Sequence, residues 1–423
     1  MKQFPTFQGA GYFANIKRLR RDSLAFLLDA ASRSPDLFRI SFGLEQLFVI
    51  NDPEAIREIL IEQKDGFEVG WGSANVMATY LGRGILTTRG DRWKESRADL
   101  QAQLNQKQLD RCQPLIDRHV GRLLDQWAIA ARQGAAVTAT SDLLELTLRI
   151  LCSALYDYEV EDGDAARYVE AIGVLQTDLF ANRSEGVHFL RFLPTSRNRR
   201  LLKATRDLYA LAEKIIDATP SDGVVKSRCP FHDWSRRNSA SEIKAKEKVL
   251  SLLMAGPESV SNTLSWALLL LAKHPEFADP RLVPEIVQET LRLYPAGWAF
   301  ERRCMRETSV QGFRIPKGAT LVISPFLLHR NPRIWENALA FDPERFRAGR
   351  TTSVSKYGFI PFGAGHRSCI GSRLATMELE TALEAIIKNF NLALASDPEV
   401  RPKGYFKLRP EADIKLTLRQ KAK

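Results

Sequence analysis

The sequence predicts a mainly helical protein with a smaller β-rich part. Helical patterns dominate from Trp93 to Leu293. The strand-like pieces are short and lie on either side of that stretch. Composition agrees: the 423 residues are 44% hydrophobic and 26% charged, which is ordinary globular usage. Length alone would allow two or three domains. The candidate functional residues, however, run from Trp93 to Cys369, so one domain over 1–423 is expected.

Taken in chain order, Leu37 to Gly43 and Gln46 to Val49 read as two short strands around Gly43-Leu44-Glu45, a hairpin signal. Asp52-Pro53 opens a helix that runs to about Ile61, with Pro53 in its first turn. Trp93 and Arg97 stand at i, i+4 on the helix after Gly90-Asp91 and share a face. Thr219 to Ser241 is polar, carries Pro220, Gly223 and Pro230, and reads as a surface connection. A long apolar helix is predicted from about Lys246 to Lys273. Pro257, Glu258, Asn262 and several serines interrupt it, which marks a buried helix rather than a membrane span. Pro257 removes the N–H that would bond the Leu253 carbonyl, so a kink is expected there, with that carbonyl freed for water or substrate. Glu289 and Arg292 share a helix face at i, i+3 before Tyr294-Pro295. Val310 to Ile315 and Thr320 to Ser324 read as strands separated by Pro316-Lys317-Gly318.

Several function classes are disfavoured. The five cysteines are scattered without paired spacing, against a disulfide framework or zinc site. The N-terminus has no apolar h-region, and no stretch reaches membrane-spanning length, so a soluble cytoplasmic protein is expected. The net charge of +11 comes partly from Lys17-Arg18-Leu19-Arg20-Arg21, Arg197-Asn198-Arg199-Arg200 and Arg236-Arg237. Such clusters are a solvated face or a docking surface for an acidic partner. No recognition motif accompanies them, so nucleic acid is not expected.

The chemistry concentrates at Phe362-Gly363-Ala364-Gly365-His366-Arg367-Ser368-Cys369-Ile370-Gly371. The glycines allow a flat ligand close to the backbone. Ile370, Leu374 and Met377 then fall on one helix face, so Cys369 stands near a helix N-terminus, where a thiolate is favoured.

This F-x-x-G-x-R-x-C-x-G stretch resembles the haem-binding loop of the cytochrome P450 family. The resemblance covers nearly the whole chain and implies that family's fold, a large helical domain with a smaller β-rich part. It implies heme b (iron protoporphyrin IX) as cofactor, with the Cys369 thiolate as proximal iron ligand. Phe362 would pack on the thiolate side, Gly371 completes the loop pattern, and Arg367 would hold a propionate. Trp93, Arg97 and Arg302 match further propionate ligands, although the adjacent Arg303 leaves the last register open. Glu289, Arg292 and Arg345 match the buried network that supports the loop. Ala255-Gly256-Pro257-Glu258-Ser259 resembles the distal-helix pattern, with Glu258 as the acid and Ser259 as the alcohol that deliver protons. Serine where threonine is usual, Pro257, and a short link from His274-Pro275-Glu276 to Glu285 depart from the family.

On that resemblance the protein is a monooxygenase that inserts one atom of O2 into a mainly apolar small molecule, by analogy in secondary metabolism. Electrons would come from NAD(P)H through a reductase and a ferredoxin or flavodoxin. No fused reductase is expected, because the chain ends soon after Cys369. The departures leave open a peroxide-using, coupling or rearrangement enzyme. A non-catalytic haem sensor is disfavoured by the acid–alcohol pair. Substrate contacts would come from Phe67 to Tyr80, Gln176 to Phe189 and Ala296 to Phe300. Trp71, Met77, Phe180, Trp298 and Phe300 are pocket or packing residues.

Overall fold

The computed structural model describes residues 2–422 apart from 8, 10, 35, 43–44, 71–76, 79, 81, 180–193, 219–244 and 348–353. Trp71, Phe180, Arg236-Arg237 and the whole of the expected Thr219 to Ser241 connection lie outside the described residues. Contacts divide the chain into two compact units, the first made of 1–73, 288–369 and 402–409, the second of 74–287, 370–401 and 410–423.

The first unit is built on a six-stranded sheet. Its spatial order is Thr6–Phe7, Leu37–Phe42, Glu45–Ile50, Thr320–Ile323, Phe300–Cys304, Phe67–Val69. The expected hairpin is present, paired antiparallel from Leu37↔Ile50 to Phe42↔Glu45. Glu45–Ile50 then pairs parallel with Thr320–Ile323, and Phe300–Cys304 lies antiparallel to both of its neighbours. Phe48, Ile50, Ile56, Ile59, Leu321 and Ile323 form part of the core beneath it. The Asp52 carboxylate accepts the Ala55 N–H at 2.7 Å and caps the helix Pro53–Arg57, which continues as a π-helical turn over Glu58–Glu62.

One strand expectation is corrected. Val310 to Ile315 is not one strand: Thr308–Val310 and Phe313–Ile315 form an antiparallel pair. Gln311 and Gly312 make the turn at φ 50° and 77°. Glycine favours that region, and glutamine hides it from a sequence reading.

The second unit is helical. Ala139–Tyr156 packs against Pro257–Lys273, and Ser372–Asn389 packs against Gln106–Arg132 and Pro257–Lys273. Leu374, Leu379, Ala382, Leu383 and Ile386 make the buried stripe of Ser372–Asn389. A small sheet orders Phe390–Leu394, Lys415–Gln420 and Val137–Thr138. The expected Lys246 to Lys273 helix is also corrected. It is two helices, Ala245–Ala255 and Pro257–Lys273, with Gly256 between them and Pro257 as the first residue of the second. Proline at a first helical position loses nothing, because that N–H has no partner inside the new helix. Among the described residues no helix is long and apolar enough to cross a membrane.

Candidate active site

The Cys369 loop belongs to the first unit. Three backbone bonds tie it: Gly363 N–H to Ile360 O at 2.9 Å, Ser368 N–H to Gly365 O at 3.0 Å, and Cys369 N–H to Phe362 O at 2.8 Å. Gly365 has φ 73°, and a Cβ there would stand 2.3 Å from the Leu60 carbonyl oxygen, so only glycine fits. The Cys369 thiol is exposed, whereas Cys112, Cys152 and Cys304 are buried. Burial pushes the Cys152 and Cys304 thiols up, away from the thiolate. Of the described cysteines, Cys369 is therefore the one suited to hold a soft metal. The helix that follows begins at Ser372, with Gly371 at its N-cap position and the Gly371 carbonyl accepting the Ala375 N–H at 2.9 Å.

Strand alternation separates Arg302 from Arg303. Arg302 is 6% exposed on the buried face of Phe300–Cys304, and Arg303 takes the other face. The Arg302 guanidinium donates to the Glu301 carbonyl at 2.9 Å and lies 4.9 Å from the Phe300 ring centre. Among the described residues no carboxylate hydrogen-bonds it. Desolvation lowers its pKa to about 10, opposed by the charge of Glu68. Arg367, also largely buried, lies 3.6 Å from the Glu68 carboxylate. His366 sits in the same field: burial, then the charges of Arg302 and Arg367, lower its pKa. Two buried guanidiniums thus lie near the Glu68 carboxylate, and a planar guanidinium suits carboxylate oxygens.

Glu289, Arg292 and Arg345 come together as the sequence suggests. Glu289 and Arg292 have fully buried side chains and pair at 2.7 Å, and Arg345 Nε reaches Glu289 at 3.1 Å. Arg292 Nη1 also donates to the His329 and Ala338 carbonyls, at 2.7 and 2.6 Å, and Nη2 to Ala340 O at 3.0 Å. His329 was not singled out in the sequence. Its ring faces Arg292 O at 3.2 Å through Nδ1 and accepts the Ile360 N–H through Nε2 at 3.0 Å. Burial and the charge of Arg292 lower its pKa to about 3, so it is neutral, with the proton on Nδ1. A buried, hydrogen-bonded imidazole thus joins the Glu-Arg helix to the start of the cysteine loop.

In the second unit, Trp93 is buried and the Arg97 guanidinium lies 5.6 Å from its ring centre, as i, i+4 spacing requires. Glu258 is 2% exposed, and Gln176 Nε2 donates to its Oε2 at 2.6 Å. The Ser259 hydroxyl donates to Ala255 O at 2.8 Å. The Leu253 carbonyl is not left unpartnered by Pro257, contrary to expectation: the Tyr168 hydroxyl donates to it at 2.6 Å. Tyr168 and Gln176 carry no local sequence signal, because their partners are 85 and 82 residues away.

Of the described pocket candidates, Met77 is buried. The Trp298 indole donates to Tyr405 O at 2.8 Å, and Phe300 stacks under Arg302. Both contacts lie within the first unit.

An exposed thiol in a close-approach loop, with the buried guanidiniums of Arg302 and Arg367 in the same unit, suits an iron porphyrin, which needs one soft ligand and partners for two carboxylates. The fold and this donor set define a haem enzyme. A family model described as Cytochrome P450 matches residues 5–280 and 280–418, and the chain belongs to the cytochrome P450 family. It is thus an oxidoreductase of the P450 monooxygenase family, which works with haem, a substrate, O2 and electron-transfer partners. The chain is 27% identical to a pentalenene oxygenase of Streptomyces avermitilis, covering 91% of this chain and 90% of the relative. It is 25% identical to a cyclooctatin synthase of Streptomyces melanosporofaciens, covering 94% and 90%. A solved cytochrome P450, CYP102L1, shares the fold with a TM-score of 0.81 at 22% identity, covering 95% of this chain and 98% of that one.

Proposed function

We propose that the protein is a haem-thiolate monooxygenase that inserts one atom of O2 into a mainly apolar small molecule, in secondary metabolism, with electrons from NAD(P)H through a reductase and a ferredoxin or flavodoxin. The observation that carries it is Cys369: an exposed thiol in a loop fixed by its own backbone and by Gly365. When bound, haem supplies the redox-active iron that takes up electrons and activates O2. Cys369 Sγ would hold that iron as thiolate, Phe362 would pack against the group, and Gly371 completes the loop before the helix. Arg302 and Arg367, which lie near Glu68, would bind propionate oxygens, and Trp93 and Arg97 would take the same role. Glu289, Arg292 and Arg345 support the loop through residues 329–345.

Glu258 and Ser259 move protons. The Glu258 carboxyl is the acid and the Ser259 hydroxyl, which donates to Ala255 O, is the alcohol of the relay. An oxygenase named for pentalenene among the relatives supports insertion of oxygen into an apolar molecule. The test is Cys369→Ser. Wild type should give the thiolate-type reduced-CO absorbance band and turn over with a surrogate ferredoxin system. Cys369→Ser should lose both. A variant that kept the band would place the iron on another residue.

A further inference from the structure

The break in the apolar helix raises a question of hydrogen bonding. In a continuous helix the Leu253 carbonyl receives the N–H of residue 257, and Pro257 has none. Leu253 is fully buried, so an unmatched carbonyl there is costly. The Tyr168 hydroxyl takes that place at 2.6 Å. Tyr168 is 1% exposed. Burial first, and then the charge of Glu258, hold its phenol well above the ordinary value, so it remains an O–H donor. Further along the same stretch, Gln176 sits on the π-helical turn Leu175–Leu179 that follows the helix Asp162–Val174. Its amide reaches over the other side of the break to Glu258 Oε2 at 2.6 Å, both side chains buried. Thr147 Oγ1 lies 2.9 Å from the Pro257 carbonyl itself.

We propose that Tyr168 and Gln176 are positioning residues that hold the Gly256–Pro257 break from both sides, Tyr168 by replacing the missing amide at Leu253 and Gln176 by fixing the carboxyl of Glu258. The break is then a built feature rather than a passive consequence of proline. With Tyr168 in place, the Leu253 carbonyl already accepts a hydrogen bond and needs no water or substrate to satisfy it. An amide N–H bonds only to an acceptor oxygen, so Gln176 makes Oε2 the accepting oxygen and leaves Oε1 to carry the transferable proton. This last consequence rests on the monooxygenase reading; the role of Tyr168 does not.

The test is a double-mutant cycle on the holoprotein. Tyr168→Phe removes only the hydroxyl and should lower the melting temperature by about 2 °C or more. Pro257→Ala restores an N–H for Leu253, so in that background Tyr168→Phe should cost less than half as much. Equal losses in both backgrounds overturn the proposal. If Tyr168→Phe alone yields no folded protein, recovery in the Pro257→Ala background supports it, and failure of both overturns it. For Gln176, Gln176→Leu should lower product per NAD(P)H by roughly 3-fold or more and raise the solvent isotope effect, with the substrate-induced Soret shift unchanged. In a Glu258→Ala background it should change neither. A loss of the same size in that background overturns the Gln176 assignment. Normal coupling in Glu258→Ala alone would instead sink the proton-relay reading and leave the Tyr168 cycle standing.

Discussion

Two buried carboxylates show how partners decide what a buried charge does. Glu289 receives Arg292 Nε and Nη2, Arg345 Nε and the Asp342 N–H, all within 3.1 Å. Glu378 is 5% exposed on the core face of Ser372–Asn389, and among the described residues no hydrogen bond reaches it. Burial alone raises its pKa from 4.5 to about 8. Between those values the folded state binds a proton that the unfolded chain has released, so stability falls as pH rises from 4.5 to about 8 and is level outside that window. Glu378→Gln should therefore raise the melting temperature at pH 9 and leave it nearly unchanged at pH 4, where wild type is neutral at this position too. Glu289→Ala should do the opposite at every pH, because Arg292 keeps its charge, costing about 3–5 kcal/mol and most of the folded haem protein. Equal effects of the two substitutions across pH would mean that neither carboxylate sits as described.

At the scale of elements, local chemistry was legible and long-range partners were not. The glycine loop, the acid–alcohol pair and the Glu-Arg helix each lie within about ten residues, so residue types and spacing expose them. Pro257 announced a disturbance, but only tertiary structure shows whether proline kinks a helix or starts a new one. Here Gly256 gives the chain a free junction, its N–H still closing on Leu252 O at 3.0 Å, and Pro257 leads the next helix. The 308–315 hairpin stayed hidden because Gln311, not Asn or Gly, adopts the left-handed conformation. The element-level prediction concerns the second of the two helices. Glu258→Ala should lower product formed per NAD(P)H by roughly 10-fold or more and divert electrons to peroxide, while haem and substrate binding remain intact. Ser259→Ala should act in the same direction. Unchanged coupling in both, with substrate binding measured alongside, would favour a substrate hydroxyl as the proton route or a reaction other than monooxygenation.

At the scale of the molecule, sequence gives the family but not the assembly of its units. The sheet of the first unit draws on residues 6–69 and 300–323, and pairs Leu47–Ile50 in parallel with Thr320–Ile323. Such distant pairing has no signature in either segment alone. Charge, by contrast, is a whole-chain property that sequence states outright, and the net +11 bears on electron delivery. In the helix Tyr12–Arg21, Arg18 is engaged by Asp29 at 2.7 Å and lies over the Phe26 ring. Lys17, Arg20 and Arg21 are exposed, and among the described residues none of them has an ion pair. Exposed cations that no internal carboxylate neutralises act at a distance, over a Debye length of about 10 Å at 0.1 M salt and about 30 Å at 0.01 M. If the electron carrier is acidic, as proposed, such cations act on its approach and add little to the bound complex. Reduction of the ferric enzyme by an acidic ferredoxin should slow by roughly 10-fold or more between about 0.01 and 0.3 M salt, with the loss in association rather than in electron transfer once bound. Lys17→Glu with Arg20→Glu and Arg21→Glu should flatten that dependence if this helix takes part. A reduction rate indifferent to salt in the wild-type protein would make the basic clusters a solvated face and leave partner recognition to contacts of another kind.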